Sequence, residues 1–143
     1  MPGTEAASPL LLYMLKQVEL AVRARIDEIV RPVGLTAAQY TALTVLERHT
    51  DMSSAQLARN SFVTAQSMAD MVRALETRGL VRRERNPANR RELLILLTAA
   101  GRALLDGLAG PVGELEEQMI RDLPSRQVGQ FRRTLTDTWR ALS

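Results

Sequence analysis

The chain has no cysteine, a single histidine and few aromatic residues, and these shortages exclude several classes of site. Without cysteine there is no disulfide, no thiolate metal site and no thiol redox sensor. The histidine, His49, would need carboxylate partners to bind a metal, and a solvated or capping role at a helix end is commoner. Because no Ser/His/Asp, metal-ligand or glycine-loop motif stands out, we predict no enzyme activity, no cofactor and no metal site.

The chain also lacks a hydrophobic run long enough to cross a membrane. An apolar stretch extends from Leu10 to Leu15, but Lys16, Glu19 and Arg23 follow it, well short of the ~20 residues that a membrane helix needs. The stretch has neither a basic leader nor a small-residue cleavage site, so we expect no signal peptide, no membrane partner and a cytoplasmic protein. We expect disorder only in about the first eight residues.

Two capping patterns and a glycine predict a helix-turn-helix in the middle of the chain. Ser53 and Gln56 form an S-x-x-Q capping box, which predicts a helix that begins at Ser54. Thr64 caps a second helix, and Gly79 ends it. The apolar residues of this second helix recur at helical spacing and form one buried stripe: Met68, Met71, Val72 and Leu75.

Two short strand-like runs follow the second helix, over 80–85 and 93–97, around the turn Asn86-Pro87-Ala88-Asn89. This order of elements is that of a winged helix-turn-helix. Its second helix usually enters the DNA major groove, because a groove about 12 Å wide admits a helix. We therefore predict a mainly α-helical fold with a small β-hairpin wing, and a DNA-binding region over 36–98.

Positive charge is concentrated in this region. Between Ser53 and Arg91 there are eight arginines and three acidic residues, a net charge of +5, whereas the whole chain nets only +3. A solvated basic surface would explain such a run alone. Its coincidence with a helix-turn-helix favours a phosphate-binding face.

Both ends of the chain carry apolar residues at helical spacing. One stripe runs from Leu11 to Val30, and two more follow Thr98 and Ser125, each of which we predict to cap a helix. Pro111 should bend the second of these three helices.

Three such stripes leave more apolar surface than a small winged domain can cover. We therefore predict one domain over 1–143, in which 9–33 and 99–143 form the helical dimerisation region of a homodimer. Thr36 and Gln39 form a further capping box, which predicts a helix between the first stripe and the DNA-binding motif.

The order of elements resembles the MarR-type bacterial transcription regulators, from about Leu10 to Leu142. The residues that carry the resemblance are Gly34-Leu35-Thr36 with Gln39-Tyr40, Leu57-Ala58, the run 75–83, and Asn89-Arg90-Arg91 followed by Leu97-Thr98 and Gly101. In the family the wing usually reads Asp-x-Arg, and its arginine enters the minor groove. Position matching makes Arg91 that arginine.

This chain departs from the family pattern at two positions. Asn89 replaces the wing aspartate, and Arg73 stands in the second motif helix where an acidic residue is frequent. Both changes add positive potential toward DNA.

We assign DNA-binding roles from the predicted geometry, with Asn89, Arg90 and Arg91 in the wing. Gln66 and Ser67, beside Thr64, are the candidates for reading bases, since glutamine can pair bidentately with an adenine edge. Arg73, two turns further along the helix, is a phosphate or peripheral contact. Ser53 and Ser54 offer hydroxyls and backbone N–H groups to a phosphate, the alternative for each being a plain cap.

The resemblance implies a homodimeric repressor that binds a pseudo-palindromic double-stranded operator and is released by a small amphipathic or aromatic ligand. In relatives this ligand lies between the dimerisation helices and the winged module, where Met14, Tyr40, Thr44 and Arg83 are candidate lining residues. The alternative is a protein-interaction adaptor whose winged fold contacts protein. A steep salt dependence of duplex binding would distinguish the two functions.

Overall fold

The structure, a computed structural model, describes residues 7–143, so the disorder expected before Pro9 falls mostly outside the described residues. These residues form six α-helices, one 3₁₀ helix and three short strands. The elements in chain order are α1 (Leu11–Val30), the 3₁₀ helix (Arg31–Val33), α2 (Ala37–Arg48), β1 (Met52–Ser53), α3 (Ser54–Asn60), α4 (Ala65–Thr77), β2 (Val81–Asn86), β3 (Asn89–Leu97), α5 (Ala99–Met119) and α6 (Ser125–Leu142).

The chain divides into two compact units, one that ends at Ala109 and one from Gly110 to Ser143. The first unit has a continuous apolar core between its helices and the sheet. The largest fully buried side chains in this core are Leu43, Leu57, Met68, Leu75, Ile95, Val30 and Val81. The second unit contains the end of α5 and all of α6, and α6 has no buried residue. A single domain over 1–143 stays a prediction.

Hydrogen bonds at the start of α2 fix the connection between α1 and the DNA-binding region. Gly34 takes φ +76°, and Thr36 and Gln39 form the predicted capping box, with bonds of 3.1 and 3.0 Å. The Asp27 carboxylate also accepts a bond of 2.7 Å from the backbone N–H of Ala37. A carboxylate at this end of a helix is favourable because unpaired N–H groups carry partial positive charge there.

The predicted helix-turn-helix is present with its predicted caps. Ser53 and Gln56 form a capping box at the start of α3, and Thr64 accepts a bond from Ser67 N–H at the start of α4. Gly79 follows α4 with φ +73°, a backbone conformation that costs glycine little. Local side-chain chemistry therefore sets both helix starts.

The sheet has three antiparallel strands in the order β1-β3-β2, and sequence reasoning missed β1. This strand pairs Met52 with Ile95 and Ser53 with Leu94.

The wing turn is also shorter than predicted, because the Asn86 side chain accepts a bond of 2.9 Å from Ala88 N–H. β3 therefore begins at Asn89, where only Leu93 to Leu97 had been expected.

The helices after the wing match the prediction in extent but not at every end. The Thr98 hydroxyl accepts a bond of 3.0 Å from Gly101 N–H, as expected of a cap. The prediction that Ser125 caps the last helix is wrong. Pro124 occupies the cap position without a side-chain bond, and Ser125 is the first helical residue. Pro111 lies inside α5, which is continuous across it, and the predicted bend stays a prediction.

Candidate nucleic-acid interface and ligand cavity

Helix α4 presents one apolar face to the core and one polar face to solvent. Met68, Val72 and Leu75 are buried, whereas Gln66 and Ser67 in its first turn are exposed. This division follows from the helical spacing of the apolar residues, which places them on one side. The first turn is the part of a recognition helix that usually contacts base edges.

The three predicted base-reading residues differ in how strongly the fold holds their side chains. The Thr64 hydroxyl accepts a bond of 3.1 Å from Ser67 N–H and donates one of 3.0 Å to the Ser67 hydroxyl. Gln66 has no hydrogen-bond partner among the described residues. The Gln66 amide therefore has both a hydrogen-bond donor and an acceptor available to a base.

Arg73 and the two serines are engaged within the protein. Arg73 forms an ion pair with Asp70 one turn earlier on α4, so part of its charge is neutralised there. Ser53 is buried, and its hydroxyl accepts a bond of 3.2 Å from Gln56 N–H. Ser54 is half-buried, which leaves it the more accessible of the two serines.

The tip of the wing carries two exposed arginines on an irregular stretch of β3. Arg85 pairs with Leu93 and Asn86 pairs with Asn89, so Arg90 and Arg91 lie in a bulge without partners on β2. The Asn89 side chain accepts a bond of 3.2 Å from the backbone N–H of Arg91. This asparagine orders the wing through the backbone, and it leaves the Arg91 guanidinium without an ion pair among the described residues.

The ion pairs show which arginines carry the excess charge of the basic segment. Each of its three acidic residues pairs with one arginine: Asp70 with Arg73, Glu76 with Arg83 at 3.4 Å, and Glu84 with Arg82 at 3.1 Å. The remaining five arginines are Arg59, Arg78, Arg85, Arg90 and Arg91. Three of these five lie in the wing, which nets +3 over 81–97 when Glu92 is counted with Glu84 against its five arginines.

Arg78 joins the end of α4 to the end of the 3₁₀ helix. Its guanidinium donates bonds of 3.0 Å to the carbonyl oxygen of Gly34 and 2.7 Å to that of Val33. Carbonyl groups at a helix end lack partners within the helix, and arginine can satisfy two of them at once. This contact fixes the recognition helix relative to the segment after α1.

A cavity of about 550 Å³ lies beside the helix-turn-helix. It is lined by α1 residues between Leu15 and Ile26, by α2 residues between Ala37 and Thr41, and by Ser61, Phe62 and Val63 in the turn before α4. The lining is mainly apolar, and the volume is within the usual range of small-molecule sites.

The four residues predicted to line a ligand crevice do not line this cavity. Arg83 pairs with Glu76, and the Thr44 hydroxyl donates a bond of 2.7 Å to the carbonyl oxygen of Thr41. Met14 is exposed on α1. Burial, and after it the charge of Glu47, raises the pKa of Tyr40, so its phenol stays neutral at pH 7. A ligand contact for these four residues stays a prediction.

Within residues 7–143, no helix is long and apolar enough to cross a membrane, and no group of three or more potential ligands is placed to hold a metal ion. A second, polar cavity of about 490 Å³ is lined by residues between Arg48 and Asn60, His49 among them.

Comparison with known proteins gives the family. A family model described as the MarR family matches residues 35–93. An HTH-type transcriptional repressor of Mycobacterium tuberculosis is 33% identical over 123 residues, which cover 86% of this chain and 88% of that protein. The chain belongs to the MarR family. The transcriptional regulator HosA of Escherichia coli O111:H- is a further relative of this MarR-family chain, 31% identical over 98 residues that cover 68% of it and 72% of HosA.

Solved structures of MarR-family regulators have the same fold. The repressor CouR bound to a 23-mer DNA duplex is 31% identical, with a TM-score of 0.74, and the match covers 90% of this chain and 91% of CouR. CouR from Rhodococcus jostii RHA1 bound to p-coumaroyl-CoA is 26% identical, with a TM-score of 0.82 and coverage of 94% and 95%. These matches confirm the predicted winged helix-turn-helix fold and the predicted function as a transcription regulator, in a family that is not enzymatic.

Sequence reasoning about this MarR-family chain missed two residues that the structure makes prominent. Arg85 belongs to the uncompensated charge of the wing, and only the pairing of Glu84 with Arg82 distinguishes it from its neighbours. Ser61 is buried at the cavity, and its hydroxyl oxygen has no hydrogen-bond partner within residues 7–143. A serine between Asn60 and Phe62 carried no motif, so its burial could be read only from the fold.

Proposed function

We propose that the protein is a cytoplasmic, homodimeric repressor that binds a pseudo-palindromic operator and is released from it by a small amphipathic or aromatic molecule. The observation that carries the DNA-binding part is the position of Gln66. This exposed amide lies in the first turn of a helix whose opposite face is buried, and the wing that follows this helix in the chain carries a net positive charge. A repressor at 33% identity and a DNA-bound CouR at 31% support the same function.

In this proposal the two DNA-facing elements make different contacts. Gln66 contacts a base edge in the major groove, while Thr64 and Ser67, which bond each other, hold the start of α4 and contact bases or phosphates at its edge. Arg73 neutralises phosphate at the periphery. Ser53 and Ser54 place the start of α3 against the phosphate backbone.

The wing provides the second contact. Arg91 enters the minor groove, and Arg90 and Asn89 lie beside it at the tip of the hairpin. Insertion of an arginine into a narrow minor groove reads groove shape as well as charge, because such grooves have an enhanced negative potential. The absence of an ion pair on Arg91 within the described residues leaves its full charge for this contact.

The terminal helices supply the proposed homodimer interface. On α1 the large apolar residues Leu11, Leu12, Tyr13 and Leu20, which lie outside the cavity lining, are exposed, and on α6 so are Phe131, Leu135, Trp139 and Leu142. Faces of this size on a folded protein mark interaction sites. A second copy of this chain is the occupant we propose, because a palindromic operator requires two recognition helices at a fixed separation.

We place the effector in the cavity between α1, α2 and the turn before α4. Its occupancy changes the packing of the segment that leads directly into the recognition helix. The structure of CouR with p-coumaroyl-CoA supports a ligand-responsive regulator, since that protein is similar to this chain over 94% of its length.

Fluorescence anisotropy of labelled duplexes tests the DNA-binding part of the proposal. The duplex is the palindrome nearest to the start of the protein's own gene, and the controls are a scrambled duplex and one with about five base pairs inserted between the half-sites, half a helical turn. We expect tight binding to the first duplex only, and affinity that falls steeply with salt. Equal affinity for all three duplexes, or affinity independent of salt, would contradict a palindrome-reading repressor and favour the adaptor.

A further inference from the structure

The turn between α3 and α4 combines two unfavourable features at the wall of the cavity. Ser61 is 4% exposed, and its Oγ is the buried side-chain oxygen without a hydrogen-bond partner among the described residues. Phe62 has φ +61°, a left-handed conformation that favours glycine, and it is nevertheless 73% exposed. Buried polar groups without a hydrogen-bond partner and strained backbone conformations are uncommon in folded proteins, and strained residues cluster at functional sites.

The Ser61 hydroxyl lacks a hydrogen-bond partner among the described residues, whereas the other hydroxyl of the cavity lining has one. The Thr41 hydroxyl donates a bond of 3.0 Å to the carbonyl oxygen of Ala37, so it is satisfied inside its own helix. The backbone N–H of Ser61 bonds the Ala58 carbonyl oxygen at 3.3 Å, which leaves the Ser61 side chain as the unsatisfied group of the turn. A serine side chain has three staggered positions, and rotation between them can direct Oγ to a partner inside the cavity.

The charge of the lining limits the kind of partner. Its two charged residues, Glu19 and Arg23, bond each other at 2.8 Å, so the cavity wall offers no net charge to a ligand. The rest of the lining is apolar apart from the two hydroxyls. An anionic or cationic ligand would lose its hydration without gaining an opposite charge, whereas an apolar molecule with one hydroxyl or carbonyl group would not.

We propose that Ser61 is the polar anchor of this cavity, and that the ligand is an uncharged, mainly apolar molecule of about two rings whose single oxygen bonds Ser61 Oγ beneath Phe62. The inference rests on the proposal that the protein responds to a small ligand. Phe62 lines the cavity and is largely exposed, and in this proposal its ring lies over the bound ligand. Thr64, the cap of the recognition helix, follows two residues later, which connects the occupied site to the DNA-binding face.

Three related probes test the anchor: 2-naphthol, naphthalene, which lacks the oxygen, and 2-naphthoate, which is anionic. Each is titrated into the full-length protein, and the backbone amide signals of Ser61, Phe62 and Val63 are followed by ¹H–¹⁵N NMR. We expect 2-naphthol to shift these signals and to bind about three- to tenfold more tightly than naphthalene, the difference typical of one hydrogen bond. We expect 2-naphthoate to bind more weakly than 2-naphthol.

Ser61→Ala separates the anchor from the rest of the cavity. The substitution removes a hydroxyl that has no hydrogen-bond partner in the described part of the chain, so the fold should tolerate it. We expect it to abolish the preference for 2-naphthol over naphthalene and to leave naphthalene affinity unchanged. Ser125→Ala, at an exposed serine of α6, is the matched control and should keep the preference. Phe62→Gly, which suits the positive φ, should increase the dissociation rate of 2-naphthol.

Several outcomes would overturn the inference: no probe binds, 2-naphthol binds no better than naphthalene, or Ser61→Ala leaves the preference intact. Operator binding by the same proteins is measured separately without any probe. A protein that binds the operator but does not respond to 2-naphthol would contradict the Ser61 anchor and leave the proposed DNA-binding function intact. A protein that binds 2-naphthol through Ser61 but binds no duplex would instead defeat the proposed repressor.

Discussion

At the scale of the residue, Gln66 and Arg91 show how similar exposure can serve different contacts. Both side chains are exposed and without partners in the described chain, but Gln66 offers a donor and an acceptor whereas Arg91 offers a permanent charge. An amide can distinguish one base from another, while a cation is attracted by every phosphate. Substitution of the two residues should therefore affect DNA binding in measurably different ways.

Arg91→Ala should weaken binding to both operator and scrambled duplexes and lower the slope of log affinity against log salt by about one unit. The reason is the loss of one charge-assisted contact together with its released counterion. Anisotropy titrations from about 50 to about 200 mM salt measure the slope. Arg121→Ala, an exposed arginine in the turn after α5, should leave the slope unchanged. An unchanged slope for Arg91→Ala would remove this arginine from the interface.

Gln66→Ala should cost on the order of 1–3 kcal/mol on the preferred operator and almost nothing on scrambled DNA, because only a base-specific contact is lost. The salt slope should not change, since no charge is removed. Competition with operators varied at single base pairs identifies the position at which specificity relaxes. Gln130→Ala on α6 serves as a control for the loss of an amide. Equal losses on preferred and scrambled duplexes would show that Gln66 does not read a base.

The residue scale also shows what sequence could not predict about the site. Exposure of Gln66 and Arg91 followed from helical spacing and from the position of the turn, both of which are local. The pairing of Arg83 with Glu76 and the burial of Ser61 depend on contacts between separate elements. Their roles could therefore be read only from the folded chain.

At the scale of the element, most helix starts were predictable because their signals lie within four residues. The boxes at Thr36 and Ser53 and the cap at Thr64 each place a side-chain oxygen within reach of the N–H three residues later. β1 was not predictable, because a two-residue strand has no periodicity of its own and forms only by pairing with Ile95 and Leu94. The failed cap at Ser125 has a different, local origin, since the preceding proline takes the cap position and Ser125 becomes the first helical residue.

The junction between the wing and α5 requires a close approach of two backbones. A Cβ at Gly101 would overlap the Leu80 carbonyl oxygen and would lie 2.6 Å from Leu97 Cδ1. That same carbonyl accepts a bond of 3.1 Å from Thr98 N–H, and the Thr98 hydroxyl donates one of 2.6 Å to the Gly79 carbonyl oxygen. Glycine at 101 therefore lets the start of α5 pack against the segment that ends the recognition helix.

Gly101→Ala should destabilise the protein by about 1–3 kcal/mol, because the added methyl group meets backbone that is held by hydrogen bonds. Gly107→Ala in the same helix is the matched control. Among the described residues, no atom beyond the local helix backbone lies within 4 Å of a Cβ there, so the change should stabilise the protein by about 0.5–1 kcal/mol through better helix propensity. Urea unfolding of the two variants at one protein concentration measures both effects. Equal midpoints, or a lower one for Gly107→Ala, would contradict the proposed close packing.

At the scale of the whole molecule, the exposed apolar faces of α1 and α6 are the largest feature that one chain leaves unexplained. Leu11 on α1 is 78% exposed and Leu142 on α6 is 79% exposed. The apolar spacing of these helices was visible in sequence, and it predicted burial that a single chain does not provide. An amphipathic helix normally buries its apolar face, and one copy of the chain leaves these two faces exposed. We therefore expect a second copy to cover them.

Leu135→Asp should convert a full-length dimer into a monomer, whereas Gln130→Asp, with the same added charge outside the apolar stripe of α6, should remain dimeric. Truncation after Pro124 should have the stronger effect, because it removes Val128, Phe131, Leu135 and Leu142, each worth roughly 1.5–3 kcal/mol when fully buried. Light scattering reports the assembly. A helix-turn-helix dimer reads half-sites about one helical turn apart, so a monomer should also lose its preference for the palindrome while the winged region keeps weak, salt-sensitive binding. A wild-type monomer in solution would contradict the homodimer, and a Leu135→Asp protein that still dimerises and prefers the palindrome would place the dimer interface elsewhere than on α6.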